Sequence, residues 1–325
     1  MNDARFSIVI SSHSEERWNS LVAAVESLKP QTLPPAEIII VVDHNRGLFE
    51  RARDRWPDLV VVESRQRAGL SGARNTGLAY ANASFVAFLD DDAYAEPDWL
   101  EQLAAHYRNS AVMGVGGAVV PSWIEPRPAW FPPEFDWVIG CSHIGMPQTT
   151  SRVRNLIGAN MSFRRDVLVG LSGFRHGLGR VGVVPLGCEE TDLCIRAGQR
   201  WTAGMLVYEP AARVGHRVPP NRSTWAYLVS RCYGEGVSKA LLSSMVGAED
   251  ALASERYYVS RTLPRGAVDA LVTAIRDRDV KRAARAAAIA VGLTATIGGF
   301  LATSLRSTSH LVEKDPPATA TELES

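Results

Sequence analysis

Phe85-Val-Ala-Phe-Leu-Asp90-Asp91-Asp92 is a short apolar run, partly aromatic, that stops at three consecutive carboxylates. It lacks polar alternation, the pattern of a parallel strand buried on both faces. In open α/β sheets, ligands bind beyond the carboxyl ends of such strands. Three adjacent carboxylates repel one another unless cations join them. One reading is a solvated acidic turn or a helix N-cap. The other is a hard divalent metal, Mg²⁺ or Mn²⁺, carrying a diphosphate, since both ions prefer oxygen ligands.

On either side of this run, strand and helix patterns alternate. Phe6–Ser11 reads as a strand. A helix over 17–28 follows, with Leu21, Val22, Val25 and Leu28 at helical period, and Lys29-Pro30 and Pro34-Pro35 end it. Glu37–Val42 is a strand closed by Asp43, Leu48–Trp56 a helix, and Leu59–Val62 a strand. Ser71–Ala83 is a helix of small residues that leads into the quoted strand. Pro97–Tyr107 is a helix with proline near its first turn, and Val112–Val120 is a strand. This alternation predicts an α/β fold built on a parallel sheet with right-handed crossovers.

Composition sets the outer limits. The 325 residues suffice for a sizeable core. Lys and Arg (35) balance Asp and Glu (35), so no bulk field favours a nucleic-acid partner. Cys141, Cys188, Cys194 and Cys232 form no CxxC pair and read as reduced, buried thiols of a cytosolic protein rather than a zinc site. Met1–Arg5 is polar and Phe6–Ile10 is too short for the apolar core of a signal peptide.

From Pro121 to Pro147 the composition changes. Trp123, Trp130, Phe131, Phe135 and Trp137 stand among prolines, which predicts a long loop over the sheet edge, either a cover for a site or a structural flap. A second block, 155–216, holds helices over Arg164–Leu171 and Glu189–Arg200 and a strand over Met205–Tyr208. His216 follows after a short loop. Trp225–Val246 is a helix, and Ala251–Arg278 is amphipathic, with Arg256, Arg261 and Arg265 among apolar residues. Ala286–Leu305 carries no charge and is long enough to span a bilayer, although small residues outnumber large aliphatics. Arg276, Arg278, Lys281, Arg282 and Arg285 precede it and would put that side in the cytoplasm. A buried or interfacial helix fits the same pattern. The division expected is 1–220 for the main domain (1–120 and 121–220 as its halves), 221–306 for a helical extension and 307–325 for a disordered tail.

Five features fall at strand ends or in the second block: Asp43; Arg74 and Asn75 within Gly69-Leu-Ser-Gly-Ala-Arg-Asn-Thr-Gly77; Asp90, Asp91 and Asp92; Glu189-Glu190-Thr-Asp192; and His216. Singly, each has an ordinary account as a turn residue, a helix cap, a dipole-stabilising acid or a structural histidine. Together they fit sugar transfer from a nucleotide donor, which must stabilise a departing diphosphate and activate an acceptor hydroxyl. A metal held by Asp92, with Asp90 nearby, would neutralise the leaving group. Arg74 would add a cation or orient a base. Glu189 or Glu190 would take the hydroxyl proton, and in-line attack would invert the anomeric centre.

The ordered segments SIVISSH, EIIIVVD, GLSGARNTGLAYANASFVAFLDDDA, GANMSFRR and CEETDLCIRAG resemble the family 2 glycosyltransferases over roughly 6–216. The resemblance implies a Rossmann-like mixed, mainly parallel sheet of the nucleotide-diphosphosugar transferase type. It implies that Asp43 contacts the base, that Asp90 lies near the ribose, and that Asp92 binds Mg²⁺ or Mn²⁺ with His216 as a further metal ligand. Ser11, Arg74, Asn75 and Asp91 are grouped with the donor site, and Gly158, Ala159, Asn160 and Asp192 with the acceptor side. The family's acidic pair is commonly Glu-Asp with the second residue as base, so the role falls on Glu190, with Glu189 as the other candidate. His44-Asn45-Arg46 departs from the family's Asp-Gly-Ser after the strand-two acid.

The partners expected are therefore a nucleotide-diphosphate sugar and a glycan or lipid-linked acceptor of the cell envelope. The C-terminal third suggests an enzyme at the inner face of the cell membrane, touching it peripherally or by one span; a homo-oligomerisation element is the competing account. A catalytically silent nucleotide-sugar-binding scaffold is the alternative function. A nucleotidyltransferase ranks below both, because Ser11-Ser12-His13-Ser14 supplies no glycine- and lysine-rich phosphate loop.

Overall fold

The quoted run is strand β4 of a nine-stranded mixed sheet in the computed structural model, which describes residues 5–180 and 186–305. β1 (Phe6–Ser12), β2 (Glu37–Val42), β3 (Val60–Glu63) and β4 (Phe85–Asp90) lie in the order β3-β2-β1-β4, all parallel. β4 is buried from Phe85 to Leu89 and pairs with β1 up to Ser11 opposite Asp90. Alternate residues of β1 enter two cores. Ile8 and Ile10 face one that holds Leu21 and Trp99, and Val9 faces another with Val41 and Phe88. The connections are α1 (Trp18–Ser27), α2 (Arg46–Arg55) and α3 (Leu70–Tyr80). Small residues let α3 lie close to the sheet: a Cβ at Gly77 would collide with Val9.

The second half adds β5 (Ala93–Ala95), α4 (Trp99–His106), β6 (Val112–Trp123), β7 (Ser151–Val153), β8 (Asn160–Arg164), α5 (Arg165–Gly170), α6 (Glu189–Arg200) and β9 (Met205–Val218). The sheet continues β4-β8-β6-β9-β5, and β7 also pairs with β9. β8 runs antiparallel to β4 and β6, so the sheet is mixed. Two expectations need correction here. β9 is 14 residues long instead of ending at Tyr208. Glu209-Pro210 breaks its apolar run, but parallel pairing with β6 resumes beyond a register shift where the Ala212 carbonyl abuts Gly117. His216 is therefore a strand residue, opposite Ala93 and Pro121, rather than a loop residue. The segment 121–147 is also more regular than predicted. β6 extends to Trp123, and a 3₁₀ helix covers Pro133–Ile139, burying Phe135, Val138 and Ile139.

The C-terminal part is helical. Thr224 caps α7 (Trp225–Val246) by accepting from the Tyr227 amide. The single amphipathic stretch expected over 251–278 is broken into α8 (Ala248–Ala251), α9 (Ala253–Tyr257), a π turn over Tyr258–Thr262 and α10 (Leu263–Asp277). α11 (Val280–Ser304) crosses α7 where Gly236 meets the Thr296 carbonyl and Gly299 meets the Tyr233 carbonyl, contacts closed to any side chain. Its Ala283–Ser304 stretch is long and apolar enough to cross a membrane, with 28% of the most apolar window buried against the protein. The predicted tail, 307–325, lies outside the described residues.

Candidate active site

A cavity of about 790 Å³ opens over the carboxyl ends of β1, β2 and β4. It is lined by Ser11, Asp43, Arg74, Asp90, Asp91, Asp92, Gly158, Ala159, Glu189, Glu190 and His216. Eleven of the predicted site residues, scattered over 206 positions, thus meet in one space.

Asp92, His216 and Asp90 each offer a ligand atom within 4.8 Å of the others. Asp92 Oδ1 is 3.0 Å from His216 Nε2, and Asp92 Oδ2 accepts from Arg222 Nη2 at 2.8 Å. Burial alone would raise Asp92, but His216, Arg222 and Arg17 outweigh it and hold the carboxyl well below the usual range. Gly140, at φ +83°, lies under the imidazole with its missing Cβ 3.3 Å from Nε2. Asp91 is more enclosed than Asp90. It accepts from Ser12 Oγ at 2.6 Å and from Arg17 Nη1 at 2.8 Å, which fixes both residues in the wall.

Arg74 joins the two acidic motifs. Buried within α3, it donates from Nη1 to Glu189 Oε1 (2.8 Å) and from Nη2 to Asp90 Oδ1 (3.2 Å) and the Gly158 carbonyl (3.0 Å). Its guanidinium lies between the rings of Phe88 and Phe174. Through these three hydrogen bonds Arg74 positions Glu189, Asp90 and Gly158 together. Glu190 lacks such an ion pair among the described residues; its carboxylate accepts from its neighbour Thr191 Oγ1, at 3.4 Å, and from its own backbone amide. Burial and the adjacent Glu189 push the Glu190 carboxyl up to about 8. α6 begins at this pair, after Cys188 at φ +70°, so both acids also sit at the positive end of a helix dipole.

Asp43 closes β2 and accepts from the Gly69 amide at 2.8 Å, while its other oxygen meets His44 Nδ1. The His44-Asn45-Arg46 departure has a local explanation: Asn45 caps α2 by accepting from the Leu48 amide, and Arg46 pairs with Glu50 on the surface.

Three of the predicted site residues, Asn75, Asn160 and Asp192, are not brought into the cavity lining. Asn75 is absent from the cavity lining and clasps the Phe174 backbone, donating from Nδ2 and accepting on Oδ1. Asn160 is fully buried, accepting from Trp99 Nε1 and donating to the Ala118 and Ala212 carbonyls. Asp192 is enclosed by Arg175 and Arg196. Each side chain satisfies a long-range backbone or ion-pair need that its sequence neighbourhood does not display.

The sequence reading also missed the cavity's arginines. Arg17, Arg180, Arg222 and Arg231 all line it. Arg222 sits on a 3₁₀ turn (Pro220–Ser223) six residues beyond His216, so the Pro219-Pro220 turn signal beside a candidate metal ligand was the available clue. Burial and the neighbouring Arg231, Arg222 and Arg17 depress the Arg180 guanidinium. Such a crowd of cations beside aspartates suits a polyanion such as a diphosphate. The donor set of two carboxylates and an imidazole, with His216 Nδ1 buried and unpaired, fits a divalent ion of the Mn²⁺ type.

Comparisons with known proteins bear on the family and the fold. Residues 7–171 match the glycosyl transferase family 2 model. The chain is 35% identical over 315 residues to the glucosyl-dolichyl phosphate glucuronosyltransferase of Haloferax volcanii, covering 95% of this chain and 99% of that one. It is 28% identical over 230 residues to the succinoglycan biosynthesis protein ExoM of Rhizobium meliloti, covering 68% and 70%. Among solved structures, the mannosyltransferase PcManGT from Pyrobaculum calidifontis, in complex with GDP-Man and Mn²⁺, has a TM-score of 0.52 at 17% identity, covering 90% of this chain and 87% of that one. GalNAc-T7 with UDP, GalNAc and Mn²⁺ has a TM-score of 0.52 at 18% identity, covering 80% and 56%. At these identities the structural likeness is one of fold.

Proposed function

The chain belongs to glycosyl transferase family 2 and has the A-type glycosyltransferase fold, and from that premise we propose that it is a metal-dependent inverting enzyme that moves a sugar from a nucleotide-diphosphate donor to a lipid-linked acceptor. One observation carries the reading: the Asp90, Asp92 and His216 group shares a cavity with a raised-pKa Glu190 and a cluster of arginines.

Asp43 and the Gly69 turn receive the nucleoside end. Asp90, Asp92 and His216 would hold Mg²⁺ or Mn²⁺, which supplies Lewis-acid neutralisation of the departing diphosphate. Arg17 and Arg222, already aimed at Asp92, face the charge that collects on the diphosphate oxygens as the bond to the anomeric carbon breaks. Glu190 takes the proton of the acceptor hydroxyl as its oxygen attacks the opposite face of that carbon, which inverts it. Glu189, locked to Arg74, acts by positioning and by raising its neighbour.

The lipid-linked acceptor is supported by the Haloferax relative, whose name gives a dolichyl phosphate substrate. It puts the reaction at a membrane surface, on the cytoplasmic side by the arginines that precede the apolar helix. The test is transfer by purified protein across a panel of UDP- and GDP-sugars with Mn²⁺. Asp92→Ala is expected to lower the rate by about 10³-fold or more, and the product anomer, read by NMR, to be inverted. Full Mn²⁺-dependent transfer by Asp92→Ala, or a retained anomer, would overturn the reading.

A further inference from the structure

α10 presents Val268, Leu271, Val272 and Ile275 at one-face helical spacing, and they are 60%, 47%, 58% and 79% exposed. Ile297 and Leu301 of α11, and Leu305 just beyond its end, are also exposed. Isolated exposed apolar residues are ordinary, but a continuous helical face is not. Arg256, Arg261, Arg265, Arg276 and Arg278 are exposed along the same segment. Residues 256–285 carry eight arginines and lysines against three aspartates, in a chain whose formal net charge is zero. An apolar helical face beside a concentration of cations is the signature of an interfacial helix on anionic lipid.

The cavity bears on the same segment. Tyr257, Val259, Leu263 and Leu293 line it together with Asp92 and Glu190, and Tyr257 and Val259 are themselves exposed, so they form part of its rim. α11 is fastened to the walls of the site. Arg285 Nη2 donates to Glu134 Oε1 at 2.7 Å, and Gly292 and Gly299 press against Phe135 and the Tyr233 backbone. A second copy of the chain is a poor occupant, because a two-fold contact would set this arginine-rich face against itself.

We propose that the α10 face lies on an anionic bilayer, with α10 parallel to the surface and the Tyr257–Val259 rim at headgroup level. A lipid-linked acceptor then reaches Glu190 while its hydrocarbon stays in the membrane. Only that last step rests on the function proposed above.

The test is co-sedimentation of the full chain with vesicles of phosphatidylcholine alone and with phosphatidylglycerol added, at low and high salt. Binding should rise about tenfold or more with the anionic lipid and fall with salt. Leu271→Asp with Ile275→Asp should abolish it, with circular dichroism and donor hydrolysis unchanged. Arg261→Gln with Arg265→Gln should reduce the preference for anionic lipid. Protein that stays in the supernatant, or a Leu271→Asp/Ile275→Asp variant that sediments like the parent, overturns the proposal. So does ultracentrifugation that shows a dimer broken by that variant without vesicle binding. Transfer to a water-soluble acceptor tests the catalytic reading separately: its absence would sink that reading and leave vesicle binding standing.

Discussion

At the end of β4 each of the three aspartates meets an arginine within 3.5 Å, whereas of the adjacent Glu189 and Glu190 that open α6 only Glu189 does among the described residues. The β4 carboxylates are bound by groups contributed from α3, the residue before α1 and the turn after β9. Against burial, His216, Arg222 and Arg17 hold Asp92 well below the usual carboxylate range, whereas burial lifts Asp91 despite Arg17 and Ser12. The α6 pair is divided. Arg74 keeps Glu189 in place, and the like charge of Glu189, added to burial, raises Glu190 to about 8. Asp92 and Glu190, one from each acidic motif, thus acquire opposite properties. Permanent charge suits binding of a metal-diphosphate, and a carboxylate that exchanges its proton near neutral pH suits catalysis.

The sharpest way to break this contrast is Glu190→Gln, which keeps shape and removes the proton acceptor. Transfer at saturating donor should fall by about 10²–10⁴-fold, with nucleotide affinity unchanged. A fall confined to Glu189→Gln would transfer the base role to Glu189. Next comes Arg74→Met, which leaves two carboxylates facing each other without their shared cation. Denaturant unfolding should show a loss of about 3–5 kcal/mol, the scale for breaking a buried ion pair from one side. An unchanged unfolding curve would mean that Arg74 does not hold the two motifs together.

The smallest effect is a shift in pH dependence. Glu190 must be ionised to accept a proton, so the wild-type rate should climb as pH rises through about 8. Glu189→Gln removes a like charge and leaves Arg74 paired with Asp90 alone, so more of its charge acts on Glu190. Both changes lower Glu190, so the climb should move to lower pH, with Glu235 still opposing that move. An unmoved profile would assign the climb to another group.

Much of this molecule is legible in its local patterns. Glu37–Val42, Glu189–Arg200 and Trp225–Val246 are found at the boundaries their periodicity and flanking residues predict. The nucleotide-side motifs were legible because sheet topology requires residues after parallel strands to share one edge. β9 was not, since Glu209-Pro210 masks a strand whose second half exists only through pairing with β6 and β5. Asn75, Asn160 and Asp192 looked like ligand contacts because polar residues inside family motifs do; their partners are backbone groups and arginines that only the folded chain brings near.

The sequence by itself determined the α/β alternation, the acidic ends of β2 and β4, and the reaction class, because hydrophobic period and motif order are local or sequential properties. Only the tertiary structure decided which carboxylates meet arginines, that Asp92 is lowered and that Glu190 is raised. Arg17 and Arg222 reach the triplet from 74 and 130 positions away, and Arg74 reaches Glu189 across 115. Coulombic pairing and desolvation depend on distance in space, and chain separation does not encode that distance.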